Sequence, residues 1–464
     1  MFLDFIPESA RASGLRVLMK GAGKVTRLLP IPQPTLLVGP GSSGRLGQAV
    51  AGFGHAKLLI VTDKVVSGLG LLKDLSDALT AGGADHVVFD EITPDAPIPL
   101  VERGIAFYRE HGCDAIIAFG GGSSMDAAKA IAVSIANPGK SLRALAGYFK
   151  GLHSPVPIYA VPTTAGTGSE VTVAAVISDP ERQSKLVIVD TRIVPKMAAL
   201  DANLMTGLPP HVTAATGIDA LTHAVEAFLG NWHSPATDGM ALTAVGLIFA
   251  NLRTAYSNGT DLQARENMSL ASTYAGIAFT RANVGYVHAI AHQFGGRYHT
   301  PHGLANAMVL PHVLRYSAPA VTNRLARLAV RARLGADGED EDSLARKFLD
   351  GIDQLNRDLA IPTHLEALRK DDIPALAEAA CQEAHTGYPV PRYMNQAQCE
   401  QIIGRLLPPE SATAPAARAS TRARKKVGPT ALKSAAGQTR KTAPNAATKR
   451  STKTGSSGKA AASD

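Results

Sequence analysis

Histidine is concentrated in the second half of this sequence. Of its 14 histidines, eight lie between His211 and His312. In the segment GIDALTH, Asp219 and His223 stand four residues apart within a helical pattern. That spacing puts both side chains on one face of a helix. The segment therefore presents a carboxylate and an imidazole side by side, a pair that is typical of metal ligands.

A second histidine group follows in the segment GYVHAIAHQFGGRYHTPHG. His288 and His292 are again four residues apart, and His302 precedes a glycine after a Thr-Pro turn. One aspartate with three histidines is a nitrogen and oxygen ligand set that suits Fe(II) or Zn(II). Any one of these histidines taken alone is more often a surface or core residue than a ligand. The paired spacings favour a metal site, but they do not identify which three histidines converge.

The cysteines offer no alternative metal site and no disulfide framework. Cys113, Cys381 and Cys399 are few, odd in number and without a CxxC spacing. Such usage is typical of a reducing compartment, and we expect a cytoplasmic protein.

A glycine-rich turn in the first half has the features of a phosphate site. Gly121, Gly122 and Ser123 follow the apolar strand DAIIAF and open a helix. Glycines allow close approach of a pyrophosphate, and the helix N-terminus offers free N–H groups and a favourable dipole. Many tight strand–helix turns look similar, and the turn does not match the GxGxxG fingerprint. Its position after a buried strand makes it a candidate for dinucleotide binding.

Two further turns at strand ends are candidates for cofactor contact. Asp63 ends the strand LLIV, where a carboxylate can accept hydrogen bonds from an adenosine ribose and would repel a 2′-phosphate. That interpretation favours NAD over NADP, and the alternative is an N-cap of the next helix. Thr163, Thr164 and Thr167 lie behind another strand. Their hydroxyls suit phosphate and nicotinamide amide groups, or they form a plain ST-turn.

These residues have to be positioned by two different kinds of structure. The predicted strands are TLLVG, LLIVTD, HVVFDEI, DAIIAFGGG and PIYAVPTT. Helical segments such as SSMDAAKAIAVSIAN alternate with them, which predicts a parallel, Rossmann-like sheet with helices on both faces. Ligands of such sheets bind at the carboxyl ends of the strands. We therefore predict an α/β dinucleotide-binding domain over residues 34–206.

After that point the sequence becomes helical. Strand patterns are rare, and long segments such as ATGIDALTHAVEAFLG have helical spacing. We place the boundary near Asp201–Leu208, just before two prolines, and predict an all-helical metal and catalytic domain over residues 207–408.

The ends of the chain differ in composition from this body. Residues 1–33 form an N-terminal extension without secretory features, best interpreted as a short amphipathic helix. Residues 409–464 contain 12 of the 47 Lys and Arg residues of the chain, but only two of its 39 Asp and Glu residues. They lack aromatic residues, so we predict a disordered basic tail that allows weak nucleic-acid contact. The sequence has no apolar stretch long enough for a membrane span.

Six segments occurring in a fixed order make the sequence recognisable. They are GGGSSMDAAKA, VPTTAGTGSEVT, KLVIVD, GIDALTHAVEAF, GYVHAIAHQFGG and TPHGLANAMVLPHV. From about Pro34 to Leu407 the chain resembles the iron-containing (group III) alcohol dehydrogenases. The resemblance implies an N-terminal dinucleotide-binding α/β domain and a C-terminal helical domain. It also implies a homo-oligomer, a dimer or larger.

Site residues follow from the resemblance position by position. The implied metal ligands are Asp219, His223, His288 and His302. The implied cofactor contacts are Asp63, Gly121, Gly122, Ser123, Thr163, Thr164, Thr167 and Lys185. His292 matches a histidine near the nicotinamide that serves as a proton relay. Two positions depart from the family: Ser124 and Gln293 stand where many members have proline.

The resemblance implies an NAD(P)-dependent oxidoreductase that acts on CH–OH groups. Hydride would pass between the nicotinamide and a small alcohol, aldehyde or ketone whose oxygen is polarised by Fe2+ or Zn2+. Two alternatives stay open. One is a glycerol-dehydrogenase-like or dehydroquinate-synthase-like enzyme on the same fold, and the other is a nucleic-acid-associated protein acting through its basic tail.

Overall fold

A sheet of six parallel strands forms the centre of the first half of the protein. The computed structural model describes residue 23 and residues 29–182 and 184–409. The strands are β1 (Thr35–Val38), β2 (Lys57–Val61), β3 (Asp85–Phe89), β4 (Ala115–Gly120), β5 (Gly147–Tyr148), β6 (Ile158–Pro162), β7 (Ala174–Asp179), β8 (Ser184–Val189) and β9 (Met197–Leu200). Six of them form the main sheet in the order β1-β9-β6-β4-β2-β3, and every pairing in it is parallel. All five predicted strands belong to this sheet.

Helices cover both faces of the sheet. They are α1 (Ser42–Ala51), α2 (Lys64–Gly68), α3 (Lys73–Ala81), α4 (Ile98–Glu110), α5 (Gly122–Ala136) and α6 (Leu142–Leu145). Strand β4 shows why two helical layers are needed, because it is buried along its whole length. Ile116 packs in the core on one face, and Ile117 packs in the core on the other. This alternation is the pattern of a strand buried on both sides.

A second, three-stranded sheet was not predicted. Strands β7 and β8 pair antiparallel, and β5 pairs parallel with β8. The sequence analysis used KLVIVD only as one of the six segments of the resemblance, and it did not assign a strand to it. The hairpin matters for the site, since its register sets Lys185 opposite Ser178.

From Pro210 onward the named elements are helices, in agreement with the predicted change from an α/β to an all-helical region. They are α7 (Pro210–Leu229), α8 (Pro235–Ser257), α9 (Leu262–Ala282), α10 (Tyr286–Tyr298), α11 (His302–Arg331), α12 (Glu341–Asp358), α13 (Ile373–Gly387) and α14 (Gln396–Gly404). Their buried side chains form one large apolar cluster. The fold class is therefore confirmed, while the domain limits of residues 34–206 and 207–408 stay a prediction.

The predictions for the two ends fall largely outside the described residues. The N-terminal helix in residues 1–33 and the disordered tail in residues 409–464 are not covered, apart from residues 23, 29–33 and 409. Among the described helices, none combines the length and apolar character needed to cross a membrane.

Candidate active site

Helix α7 supplies the first two residues of a buried polar cluster. Asp219 and His223 lie one turn apart on this 20-residue helix, and both are almost fully buried. Most of the other buried residues of this helix are apolar, as expected of a helix face that packs in a core. A carboxylate and an imidazole on such a face require partners, because buried polar groups without them are costly.

Two neighbouring helices supply the rest of this cluster. His288 is buried in the first turn of α10. His302 is the first residue of α11 and follows Pro301, which is the N-cap of that helix. Each of the four side chains offers one ligand atom, and these atoms lie within 4.8 Å of one another. The structure therefore brings all four predicted metal ligands together. The spacing in the sequence left open which three histidines converge, and the structure shows that they are His223, His288 and His302.

Asn306 shows which atoms face the centre of the cluster. Its Nδ2 donates to Asp219 Oδ1 at 2.7 Å and lies 3.3 Å from His288 Nε2 and 3.2 Å from His302 Nε2. Three acceptor atoms from three helices thus converge on one point. This is the arrangement expected of a preformed ligand set, and the sequence analysis did not identify Asn306 as a part of it.

The chemistry of the cluster fits a divalent cation. Two buried atoms in it, His223 Nδ1 and Asn306 Oδ1, find no hydrogen-bond partner within the described part of the chain. Burial lowers the pKa of His223, and burial together with the neighbouring imidazoles lowers that of His288 well below its usual value. Dense protein around His302 lowers its pKa to about 4, although part of its side chain is exposed. Neutral imidazoles beside a carboxylate are ready to bind a metal.

Behind the cluster, Glu226 holds His288 in place. Its Oε2 lies 2.6 Å from His288 Nδ1 and accepts the backbone N–H of Gly285, while Oε1 accepts that of Val287. Burial raises the pKa of this carboxyl group to about 7, and the three donors oppose that rise. A carboxylate on Nδ1 leaves the Nε2 of His288 free as a ligand, the usual arrangement behind metal-binding histidines.

His292 stands beside the four-residue cluster rather than in it. Its ring stacks on that of His302 with centroids 5.3 Å apart, and its Nδ1 lies 2.6 Å from Glu383 Oε1 on α13. The structure therefore places His292 next to the predicted metal ligand His302, outside the four-residue cluster. Glu383 was not identified from the sequence, because its helix lies about ninety residues farther along the chain.

The glycine-rich turn meets the threonine turn at the ends of β4 and β6. Gly121 is the N-cap of α5, and a Cβ on Gly122 would lie 2.7 Å from the Cγ2 of Thr167. A Cβ on Gly121 would lie 3.5 Å from the Oγ1 of Thr164, and Thr163 N donates to Gly120 O. The two turns thus form one surface at the start of α5, where no side chain caps the helix N-terminus, and such N-termini favour phosphate groups.

Asp63 has the capping role that was one of its two interpretations. Its Oδ1 accepts the backbone N–H groups of Val65 and Val66 at 2.9 and 3.0 Å. The second oxygen, Oδ2, points toward the glycine turn and lies 3.7 Å from where a Cβ on Gly120 would stand. Capping therefore occupies one oxygen and leaves the ribose interpretation compatible with the geometry.

Lys185 connects the hairpin to the glycine turn. Its Nζ donates to Ser178 Oγ at 2.9 Å and forms an ion pair with Asp95 at 2.6 Å. The backbone N–H of Asp95 in turn donates to Ser123 Oγ at 3.0 Å. The predicted cofactor-contacting residues Ser123 and Lys185 are thus joined through Asp95, a residue that the sequence analysis did not identify.

Comparisons with known proteins agree with this arrangement. The family model described as iron-containing alcohol dehydrogenase matches residues 33–202, and the C-terminal model of the Fe-containing alcohol dehydrogenase family matches residues 213–407. Lactaldehyde reductase of Escherichia coli (strain K12) is 38% identical over 356 residues, which cover 76% of this chain and 93% of the relative. The 1,3-propanediol dehydrogenase of Citrobacter freundii is 41% identical over 373 residues, which cover 79% and 95%.

A solved structure extends the likeness to three dimensions. The crystal structure of sulfoacetaldehyde reductase from Bifidobacterium kashiwanohense in complex with NAD+ superimposes with a TM-score of 0.73. It is 29% identical, and the match covers 82% of this chain and 98% of that one. The overall fold is therefore shared.

Proposed function

The chain belongs to the iron-containing alcohol dehydrogenase family and is an oxidoreductase of CH–OH groups, and we propose that its four-residue cluster is the metal centre. The observation that carries this proposal is the convergence of Asp219, His223, His288 and His302, with their ligand atoms within 4.8 Å. A bound Fe2+ or Zn2+ would supply Lewis-acid polarisation of the substrate oxygen. Glu226 would fix the orientation of His288 toward it.

We assign NAD binding to the surface formed by the glycine and threonine turns. The N-terminus of α5 at Gly121, Gly122 and Ser123 would bind the pyrophosphate. Thr163, Thr164 and Thr167, with Lys185, would contact the part of the cofactor nearer the metal centre, and the nicotinamide would accept the hydride. The free oxygen of Asp63 would accept a ribose hydroxyl and repel a 2′-phosphate, which favours NAD over NADP.

His292 would hold the proton that leaves or enters the substrate hydroxyl. Its ring stacks on the ring of His302, so it lies next to the proposed position of the substrate oxygen. Imidazole changes its protonation near neutral pH in water, which makes it a suitable group for such transfer.

For the substrate we propose a short alcohol or aldehyde with a second oxygen function. Lactaldehyde and 1,3-propanediol, the compounds in the names of the two relatives, are both three-carbon molecules of this kind. Two of the three imidazoles in the cluster, His223 and His288, are buried, and this enclosed position is compatible with a small substrate.

Further parts of the proposal concern the whole protein. We infer a homo-oligomer, a dimer or larger, in the cytoplasm, with domains at residues 34–206 and 207–408. The basic tail adds weak, salt-sensitive nucleic-acid contact that is independent of the chemistry. Deleting residues 409–464 should remove that contact and leave the dehydrogenase activity unchanged.

The experiment that tests the function is anaerobic loading with Fe2+ or Zn2+, followed by NADH absorbance against short alcohols, diols and hydroxy acids. Metal-dependent NADH formation that is abolished by a chelator supports the proposal. Bound metal and NAD without NADH formation on any alcohol would instead favour a dehydroquinate-synthase-like reaction, in which the cofactor is not reduced overall.

A further inference from the structure

The carboxylate of Glu383 is surrounded by hydrogen-bond donors. Its Oε1 lies 2.6 Å from His292 Nδ1 and accepts the hydroxyl of Tyr388 at 2.5 Å. Its Oε2 accepts the side-chain amide of Gln293 at 2.9 Å. Burial alone would raise the pKa of Glu383, but the histidine, the tyrosine and the glutamine together lower it. The group therefore stands as a carboxylate with a fixed orientation.

This carboxylate determines which nitrogen of His292 carries the proton. A carboxylate on one ring nitrogen keeps a proton there, so Nδ1 is protonated and Nε2, on the opposite edge of the ring, is the acceptor. The same contact prevents the imidazole ring from rotating about its Cβ–Cγ bond. A histidine held in this way presents a lone pair in one direction, which is what transfer of a substrate proton requires.

Gln293 provides one of the hydrogen bonds that hold Glu383, and it stands at a position where this sequence departs from many similar proteins. Its Nε2 donates both to Glu383 Oε2 and to Ala289 O, at 2.9 and 3.0 Å, so the amide group is anchored at two points. The sequence analysis noted Gln293 because many similar proteins have proline there. Proline has no side-chain donor, so the glutamine adds a support for the carboxylate that proline cannot provide.

We propose that Glu383, held by Gln293 and Tyr388, is the positioning residue for proton transfer by His292. The proposal rests on the function proposed above, in which His292 is the relay. During oxidation the substrate O–H bond breaks, its proton forms an N–H bond at His292 Nε2, and its electron pair becomes the second bond of the carbonyl. Bound NAD would supply the acceptor for the hydride that the carbinol carbon loses. The resulting imidazolium is stabilised by the negative charge of Glu383, and its proton leaves to solvent, to which both side chains are partly exposed.

A purely structural role would also explain these contacts, since they tie α13 to α10. The two roles differ in what a Glu383→Gln change does. If the carboxylate only joins two helices, the change lowers stability and leaves the chemistry of the folded enzyme unaltered. If it positions the relay, the change slows proton transfer in a protein that is folded and binds its metal.

The test compares Glu383→Gln, Glu383→Asp and Gln293→Leu in the full-length, metal-loaded enzyme. A matched control is Glu378→Gln, an exposed carboxylate on the same helix. For each variant we would measure kcat, KM for the alcohol, the solvent isotope effect on kcat, metal content and Tm. The alcohol is the best substrate of the wild-type enzyme from the panel described above.

We expect Glu383→Gln to lower kcat about 10- to 100-fold, as changes of supporting residues commonly do. KM and metal content should stay the same, and the solvent isotope effect should rise because proton transfer becomes rate-limiting. Glu383→Asp should restore part of kcat. Gln293→Leu should lower it by only roughly 2- to 10-fold, because His292 and Tyr388 still hold Glu383 after one hydrogen bond is lost. Glu378→Gln should behave as wild type.

Two results would overturn the inference. One is a kcat for Glu383→Gln within twofold of the wild-type value. The other is a lower kcat with an unchanged solvent isotope effect and a lower Tm, which is the result of a structural role. Failure of the proposed function is a separate outcome, because the wild-type enzyme itself would then form no NADH in a metal-dependent manner.

Discussion

Replacing Glu226 by glutamine should weaken metal binding although it removes none of the four proposed ligands. In the structure, Glu226 Oε2 contacts His288 Nδ1 at 2.6 Å, and Oε1 accepts the N–H of Val287 at 2.7 Å. Glutamine keeps the shape but has only one acceptor oxygen and no charge. If that oxygen faces His288, a charge-assisted hydrogen bond becomes a neutral one, and Val287 loses its acceptor.

The magnitude follows from these contacts. Exchanging a hydrogen bond to a charged acceptor for a neutral one costs about 1 to 1.5 kcal/mol. Loss of the negative charge behind the proposed ligand His288 adds to this cost. We expect the Kd for Fe2+ or Zn2+ to rise about 10- to 100-fold, or roughly 1.4 to 2.8 kcal/mol.

The assay is competition between the metal-free protein and a chromogenic chelator at pH 8, above the pKa of Glu226 of about 7. The metal-dependent rise in Tm provides a second measure, since a cation that binds only the folded state stabilises it. Glu383→Gln is the control, because the same change behind a histidine that is not a ligand should leave the Kd unaltered. A Kd for Glu226→Gln within threefold of the wild-type value would refute the reasoning.

Three further changes test other parts of the account. Asp63→Asn keeps an N-cap but removes the charge, so kcat/KM with NADP should rise by at least about tenfold relative to that with NAD in a steady-state comparison. Gly122→Ala would place a methyl group 2.7 Å from Thr167 Cγ2, so the Kd for NAD measured by calorimetry should rise while the Kd for metal stays constant. The hydrogen bonds from Arg143 lower the pKa of Asp179 in the folded protein to about 2, from about 3.8 in the unfolded chain. The stabilisation by this carboxylate is therefore complete above pH 3.8 and is lost as the pH falls toward 2. Asp179→Asn should therefore lower the free energy of unfolding at pH 7, and the difference from wild type should shrink as pH falls toward 2 in urea titrations; a difference that is constant with pH would contradict this.

The main sheet could be predicted from the sequence because its strands carry a local signal. Strand β4 is a continuous apolar run that ends in glycines, and such runs indicate strands buried on both faces. In the small sheet of β5, β7 and β8, strand β8 has an apolar, β-branched run, but no local pattern indicates which strands it pairs with. Strand β7 alternates between buried and partly exposed residues over only six positions, and its pairing partner is defined by tertiary contacts.

The same distinction applies to the site. Asp219 with His223, and His288 with His292, are pairs at helical spacing, so a local pattern suggested them. Asn306, four residues after His302, lies on the same face of α11, and that spacing is a usable signal. Glu383 has no such signal in the sequence, because it contacts His292 from a helix that is distant along the chain. For Asp63 the sequence left the cap and the ribose contact open, and the structure identifies the cap.

The central claim is that a metal held by the cluster on α7, α10 and α11 is required for the oxidoreductase activity. The most direct measurement is metal stoichiometry together with NADH formation in the wild-type enzyme and in Asp219→Ala and His288→Ala variants, all loaded anaerobically with Fe2+ or Zn2+. We predict about one equivalent of metal and chelator-sensitive turnover in the wild type, and loss of both together in each variant. Full activity in a metal-free His288→Ala protein would contradict the account.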